Sequence, residues 1–255
     1  IVHCLSEKND IGVHSQYLSD GIMRLFSMGV ITNKKKGFNN GKLVAGTAVG
    51  SQLLYDFIDD NPSIEFHPSD YINNPAIIAR NNGMISLNTI MAMDLTGQVA
   101  ADALPFNNYT GITGLLDFTR GAAMSDNGKS ILMLTSTSDH GKKSRIMPTL
   151  SDMSVVVPRG DVHYVATEYG VVNLFGKTLQ ERATALISIA HPDFRDDLFE
   201  KAKELGLIDE HRKFKEAIKG VYPVHYEEKR LINGMDVFFR PAKPVDDRAI
   251  QEHYY

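Results

Sequence analysis

The feature that most constrains this 255-residue chain is an alternation of short β-rich apolar runs with stretches of helical period, the pattern of an α/β protein. Residues 43–45, 64–67, 84–94, 130–135, 154–157 and 163–167 read as strands, each apolar or β-branched and bounded by Gly, Asn, Asp or Pro. Between positions 17 and 28, Leu18, Ile22, Leu25 and Phe26 recur at helical spacing, and Gly29 follows as a C-cap. Leu53, Leu54, Phe57 and Ile58 mark a second helix, ending at Asn61-Pro62. Thr178-Leu179-Gln180-Glu181 has the spacing of a capping box; the stripe Ala183, Leu186, Ile187 and Ala190 follows, and Pro192 stops it. Phe194, Leu198, Ala202 and Leu205 carry a further helix closed by Gly206.

No internal repeat or long linker interrupts residues 1–220. Past Gly220 the pattern loosens through Tyr222-Pro223-Val224 and Val237-Phe238-Phe239-Arg240-Pro241, so one domain is expected over 1–220 and an extended tail or linker over 221–255. Hydrophobic residues at 43% and charged residues at 23% are enough to bury a core, which excludes a mainly disordered chain. Charges of 27 basic against 31 acidic residues give −4, so no net basicity draws the chain to nucleic acid or anionic lipid. No apolar run reaches the roughly 18–20 residues of a membrane span. The single cysteine, Cys4, rules out an internal disulfide framework and a cysteine-based zinc site, and fits a reducing cytoplasm. The opening at Ile1 without a methionine and the ending at Tyr254-Tyr255 suggest an excerpt of a longer chain.

The common phosphate-loop, dinucleotide, serine-hydrolase and zincin motifs are absent. Nine histidines (His3, His14, His67, His140, His163, His191, His211, His225 and His253) form no pair at metal-ligand helical spacing, so no metal is expected. Lys34-Lys35-Lys36 reads as a solvated basic turn before Gly37. Three stretches stand out. Gly12-Val13-His14-Ser15-Gln16 precedes the first helix, where free backbone N–H groups favour anions. Asn73-Asn74-Pro75 and Asn81-Asn82-Gly83 flank a short helix with amides suited to a carbonyl ligand. Tyr109-Thr110-Gly111-Ile112-Thr113-Gly114 is a glycine-punctuated turn before a helix over 115–122, open to close approach by a ligand.

Together with GKSILMLTSTSDHGKKSRIMPTL at 128–150 and RGDVHYVATEYGVVNLFGKTLQERATALISIAHPDFRDDL at 159–198, these stretches resemble the C-terminal half of the acetyl-CoA hydrolase/transferase family, which includes 4-hydroxybutyrate and butyryl CoA-transferases. The resemblance covers about residues 1–220. It implies an α/β fold with an open, mostly parallel sheet and flanking helices, of the family I CoA-transferase-like (NagB/RpiA/CoA transferase-like) kind, and an N-terminal half of the same fold as partner. It also implies coenzyme A or acyl-CoA as substrate, a carboxylate as the other small-molecule partner, and a homo-oligomer. Active members attack an acyl-CoA thioester with a glutamate, giving an acyl-glutamyl anhydride and then a glutamyl-CoA thioester that hands CoA to another carboxylate. Such chemistry needs an ionised carboxylate and donors aimed at the developing oxyanion.

The sequence departs from the family twice. The glutamate belongs in G-[IV]-H-[ST]-E, where this chain reads Gly12-Val13-His14-Ser15-Gln16, and an amide cannot form the anhydride. Where relatives carry G-G-Q, this chain carries Thr113-Gly114-Leu115. Three readings of Gln16 stand open: a substitution introduced by engineering, a divergent branch that has lost transfer or uses another step such as hydrolysis, or a substitute carboxylate. Glu7 and Asp20 are the candidates for the last, with Asp20 one helical turn from Gln16 on the same face. The resemblance assigns the nucleophile position to Gln16, the backbone oxyanion donor to Gly114 and an orienting role to Asn73. His14, Gly114 and Asn73 are the expected contacts to the CoA ester, although His14 and Ser15 also suit a role in shaping the turn. Glu168 suits a structural or a catalytic carboxylate equally.

The tail VFFRPAKPVDDRAIQEHYY at 237–255 resembles the opening of a GNAT-type acetyltransferase domain. Three function classes are therefore in play. They are a CoA-transferase or acyl-CoA hydrolase domain for short acyl groups, a silent acyl-CoA-binding module fused to an acetyltransferase, and a scaffold for dimerisation.

Overall fold

The structure is a computed structural model that describes residues 2–104, 107–108, 111–214 and 228–239. The chain divides into two compact units, Ile1–Ser86 with Gly114–Ser130, and Leu87–Thr113 with Ile131–Tyr255.

The first unit is built on a parallel sheet of β1 (His14–Leu18), β2 (Leu43–Ala48) and β3 (Ile64–Phe66), in that order, with His14 opposite Val44 and Leu43 opposite Ile64. Helices α1 (Asp20–Ser27) and α2 (Gln52–Ile58) join these strands, because parallel neighbours need a crossover. Three further helices complete the unit: α3 (Ser69–Ile72), α4 (Pro75–Ile78) and α5 (Leu115–Met124). Side chains alternate across a strand. Leu43 and Ala45 accordingly pack with Val13, Leu25 and Leu54, against which Ile22, Phe26 and Phe57 of α1 and α2 rest. Val44, on the opposite face, packs with Ile72, Ile78 and Phe118 of α3, α4 and α5. The sheet thus has helices on both faces.

The remaining strands are β4 (Ile85–Thr89), β5 (Ala92–Asp94), β6 (Val99–Ala100), β7 (Ala103–Leu104), β8 (Asn107–Asn108), β9 (Lys129–Met133), β10 (Thr137–Ser138), β11 (Lys143–Ser144), β12 (Ile146–Met147), β13 (Tyr164–Thr167), β14 (Gly170–Asn173), β15 (Glu228–Ile232) and β16 (Met235–Phe239). They form a four-stranded sheet of order β14-β13-β9-β4, a three-stranded sheet of order β12-β5-β6, and the hairpins β7–β8, β10–β11 and β15–β16. Pairs distant in sequence, β9–β13 and β5–β12, run parallel; pairs adjacent in sequence, such as β5–β6 and β13–β14, run antiparallel. Helices α6 (Leu179–Ser188) and α7 (Pro192–Glu204) follow β14. The expected capping box is present: Thr178 Oγ1 accepts from the Glu181 amide, and Glu181 accepts from the Thr178 amide at 2.8 Å. The α/β architecture with parallel crossover pairs and flanking helices agrees with the fold class read from the sequence.

Several sequence expectations are corrected. The first helix begins at Asp20, since Tyr17 and Leu18 pair with Thr47 and Ala48 in the ladder; Leu18 is buried for a sheet reason and mimics the start of the helical period. The segment before α1 is therefore a strand, and His14, Ser15 and Gln16 do not form a loop of free amides at a helix start. The run 84–94 splits into β4 and β5, which join different sheets. Residues 154–157 form no strand beyond a bridge of Val157 to Val99. Lys36 is buried, unlike its exposed neighbours Lys34 and Lys35, so the basic run is not wholly solvated. Tyr109-Thr110 of the glycine turn, Tyr222-Pro223-Val224 and positions 240–255 of the acetyltransferase-like tail lie outside the described residues.

Candidate functional site

All three residues expected at the reacting centre meet in the first unit. Gln16 is two residues beyond His14 on β1, so both project from the same face of the strand. His14 Nε2 donates to the Ile72 carbonyl at 2.9 Å, and Gln16 Nε2 donates to Asn73 Oδ1 at 2.9 Å. One strand face is thus tied at two successive points to the C-terminal end of α3. A carbonyl can only accept, so Nε2 of His14 carries the proton and Nδ1 is a lone pair; among the described residues that buried Nδ1 has no partner. Burial pushes the His14 pKa below its ordinary value, against the opposing Ile72 hydrogen bond, with the Lys36 and His67 charges lowering it further. The ring is 5% exposed and lies 5.9 Å from the Phe118 ring of α5.

Gly114 closes the cluster as the N-cap of α5. A Cβ there would stand 2.7 Å from Asn73 Cγ and 2.8 Å from Asn73 Oδ1, and would collide with Gln16 Nε2. Its φ of −71° suits any residue, so glycine is required by space alone. The first intrahelical bond of α5 runs from the Phe118 amide to the Gly114 carbonyl at 2.9 Å, so the amides of the preceding turn point out of the helix start. Two side-chain amides and the positive end of a ten-residue helix therefore converge. Such a set can donate to a carbonyl or thioester oxygen; it supplies no anion of its own.

The other sequence candidates separate from this cluster. Asn74 caps α4, accepting from the Ala76 amide at 3.0 Å, and Asn81 is buried with Nδ2 turned to the Ile78 carbonyl at 3.3 Å. Asp20 is not a helical turn from Gln16. Its carboxylate accepts from the Ser51 hydroxyl at 2.6 Å and the Ser51 amide at 3.1 Å, bonds that hold it below the usual carboxylate range. Glu7 is an exposed turn residue after a short 3-10 helix over Val2–Leu5. Glu168, in the second unit, accepts from the fully buried Ser136 through its amide at 2.9 Å and its hydroxyl at 2.6 Å. Burial pushes the Glu168 carboxyl up, but the Ser136 bonds outweigh it and hold the group below its ordinary value. Phe118 and Lys36, which border His14, were not singled out from sequence; an aromatic inside a helical stripe and a lysine inside a basic run carry no local signal. Among the described residues, no group of three His, Cys, Asp or Glu forms a metal cluster, and no helix is long and apolar enough to cross a membrane.

The model of the acetyl-CoA hydrolase/transferase C-terminal domain matches residues 50–202. The chain is 45% identical to 4-hydroxybutyrate coenzyme A transferase of Clostridium kluyveri over 78% of its own length and 47% of that protein. It is 42% identical to succinyl-CoA:cyclohexane-1-carboxylate CoA transferase of Geobacter metallireducens over 82% of its length and 48% of the relative. Its fold superposes on the crystal structure of RipA from Yersinia pestis with a TM-score of 0.78 and 42% identity, covering 81% of this chain and 47% of that one. The chain spans about half the length of the relatives it matches. By these matches the chain belongs to the acetyl-CoA hydrolase/transferase family, in the part that its C-terminal domain occupies.

Proposed function

We propose that residues 1–220 form a CoA-transferase or acyl-CoA hydrolase-type domain for short-chain acyl-CoA thioesters, in which Gln16 stands where the family carries its catalytic glutamate. The observation that carries this reading is the Gln16 amide hydrogen-bonded to Asn73 against the side-chain-free Gly114. Asn73 suits either residue at position 16. It accepts from an amide, and after a half-turn of its own amide group it would donate to a carboxylate through a charge-assisted bond. Gly114 offers its backbone N–H to the thioester oxygen, Asn73 orients the ester, and His14 supports both from behind. The proposed partners are an acyl-CoA, a carboxylate, the N-terminal half of the family fold and further copies of the chain, in a reducing cytoplasm; residues 221–255 lead outward as a tail.

The neutral amide favours a second reading, a silent acyl-CoA-binding module. Its oxygen lacks the charge to attack a thioester, so binding without turnover follows directly. One experiment separates the two. The protein and its Gln16→Glu variant are each incubated with acetyl-CoA and a carboxylate acceptor, and CoA exchange is followed. Exchange by the variant, exceeding wild type by roughly a thousandfold or more, is expected if the scaffold is intact and the nucleophile is what is missing. Exchange by wild type sinks the silent reading. Failure of both proteins to bind CoA sinks both readings.

A further inference from the structure

Lys36 is out of keeping with its sequence neighbours. Lys34 and Lys35 are exposed, and Lys35 pairs with Asp10 at 3.0 Å. Lys36 is only 8% exposed, and its Nζ donates to two carbonyls, Val13 at 2.8 Å and Lys42 at 3.0 Å. A buried ammonium is costly unless its donors are satisfied. Here two of the three are taken by main chain at one particular place, the start of the β1–β2 ladder.

The register shows what that place is. The His14–Val44 pair rests on the Val44 amide donating to the Val13 carbonyl at 3.2 Å. The next rung of a parallel ladder toward the strand starts would run from the Val13 amide to the Lys42 carbonyl. Two side chains take its ends instead: Asn33 Oδ1 accepts from the Val13 amide at 2.9 Å, and Lys36 donates to the Lys42 carbonyl. Gly12 completes the arrangement. A Cβ there would collide with Lys36 Cγ and stand 3.1 Å from Cδ, so the lysine stem fills the space of the missing side chain.

We infer that Asn33 and Lys36 act together as a side-chain rung that closes the β1–β2 ladder and sets the position from which Gln16 reaches Asn73. β1 lies at the end of its three-stranded sheet, so the β2 ladder is its sheet anchor. Fixing Val13 at both its amide and its carbonyl fixes the residues that follow it along the strand. Asn33 and Lys36 are positioning residues, and the inference stands whether or not the site transfers CoA. Burial pushes the Lys36 amine down to about 8, with Glu65 of β3 opposing. The other titratable groups around it are His14 on β1, Lys42 ahead of β2 with its Nζ 3.7 Å from Glu65, and His67, 3.3 Å from Glu65. Deprotonation leaves Lys36 two N–H groups and removes the charge that strengthens both bonds.

The test reads the Gln16 side-chain amide directly. In the nitrogen-15-labelled protein its two proton resonances are assigned by their loss in Gln16→Glu and followed against pH. Both are expected to shift with a midpoint of about 8 in wild type. Lys36→Met should displace them and abolish the midpoint, while Lys34→Met should leave both as in wild type. Asn33→Ala should displace them as well, which keeps the test open if Lys36→Met fails to fold. Gln16 resonances that Lys36→Met leaves in place overturn the inference. A midpoint that survives Lys36→Met, and so belongs to another group, overturns it, as does equal displacement by Lys34→Met or none by Asn33→Ala.

Discussion

Gln16 in the first unit and Glu168 in the second are both polar residues beside parallel-paired strands, β1 and β13, and both meet a residue from a distant segment. Glu168 carries charge and accepts three hydrogen bonds from the amide and hydroxyl of Ser136. Gln16 carries none and makes a 2.9 Å bond to another neutral amide, beside a glycine that keeps the space open. A carboxylate held by both donors of a buried serine acts as a strut: moving it would strand the Ser136 amide. An amide pair against a glycine and a helix start is poised to receive an oxygen. The difference teaches that charge alone does not mark the chemistry in this chain. In the proposed function the charged carboxylate is the structural group, and the neutral amide sits where a ligand would be held.

The largest expected effect tests the neutral half of the comparison. Gln16→Glu should raise CoA exchange by roughly a thousandfold or more, measured with acetyl-CoA and a carboxylate acceptor. If exchange stays at background while CoA still binds, the amide is not what separates the two sites. In that variant, Gly114→Ala should lower exchange by roughly 10²-fold, because the new methyl group meets position 16 and Asn73 where an oxyanion donor is needed. Steady-state kinetics should place the loss in kcat, and an unchanged rate would show that the glycine is incidental.

The charged half predicts stability without activity. Glu168→Ala should cost about 1–3 kcal/mol in chemical denaturation, since it leaves the Ser136 amide unsatisfied, and should leave CoA exchange in the Gln16→Glu variant unchanged. A loss of exchange without a loss of stability would reverse the roles assigned to the two residues. The folded-state pKa of Glu168 is lowered from 4.5, so its contribution is fully present above that value and is lost as pH falls through the lower, folded one. The stability gap between wild type and Glu168→Ala should therefore close on acidification, as denaturation at a series of acid pH values would show. The smallest effect is a local reference: Thr178→Ala removes the cap of α6 and should cost about 1 kcal/mol with no effect on exchange.

The legibility of the molecule followed the range of its interactions. The capping box at Thr178 and the glycine after α7 are written in neighbouring residues, and the structure has them where the sequence places them; Pro192, read as the stop of α6, is the first residue of α7. The start of α1 was misread because Leu18 serves a sheet whose partner, Ala48, lies 30 residues away, while its spacing to Ile22 imitates a helix. The three site residues were reached through the family resemblance, since nothing local links Gln16, Asn73 and Gly114. Asp20 could be set aside as a replacement nucleophile only once Ser51 was seen to occupy its carboxylate.

By itself the sequence determined the α/β class and the helices with local start and stop signals, because each depends on residue type and short-range spacing. Tertiary structure alone decided that Gln16 faces Asn73, that Gly114 is glycine for want of room, and that one lysine of a basic run is buried as a rung between strands. Those facts are contacts between segments 20 to almost 100 residues apart, and the chain brings them together only when the sheet assembles and its helices close over it.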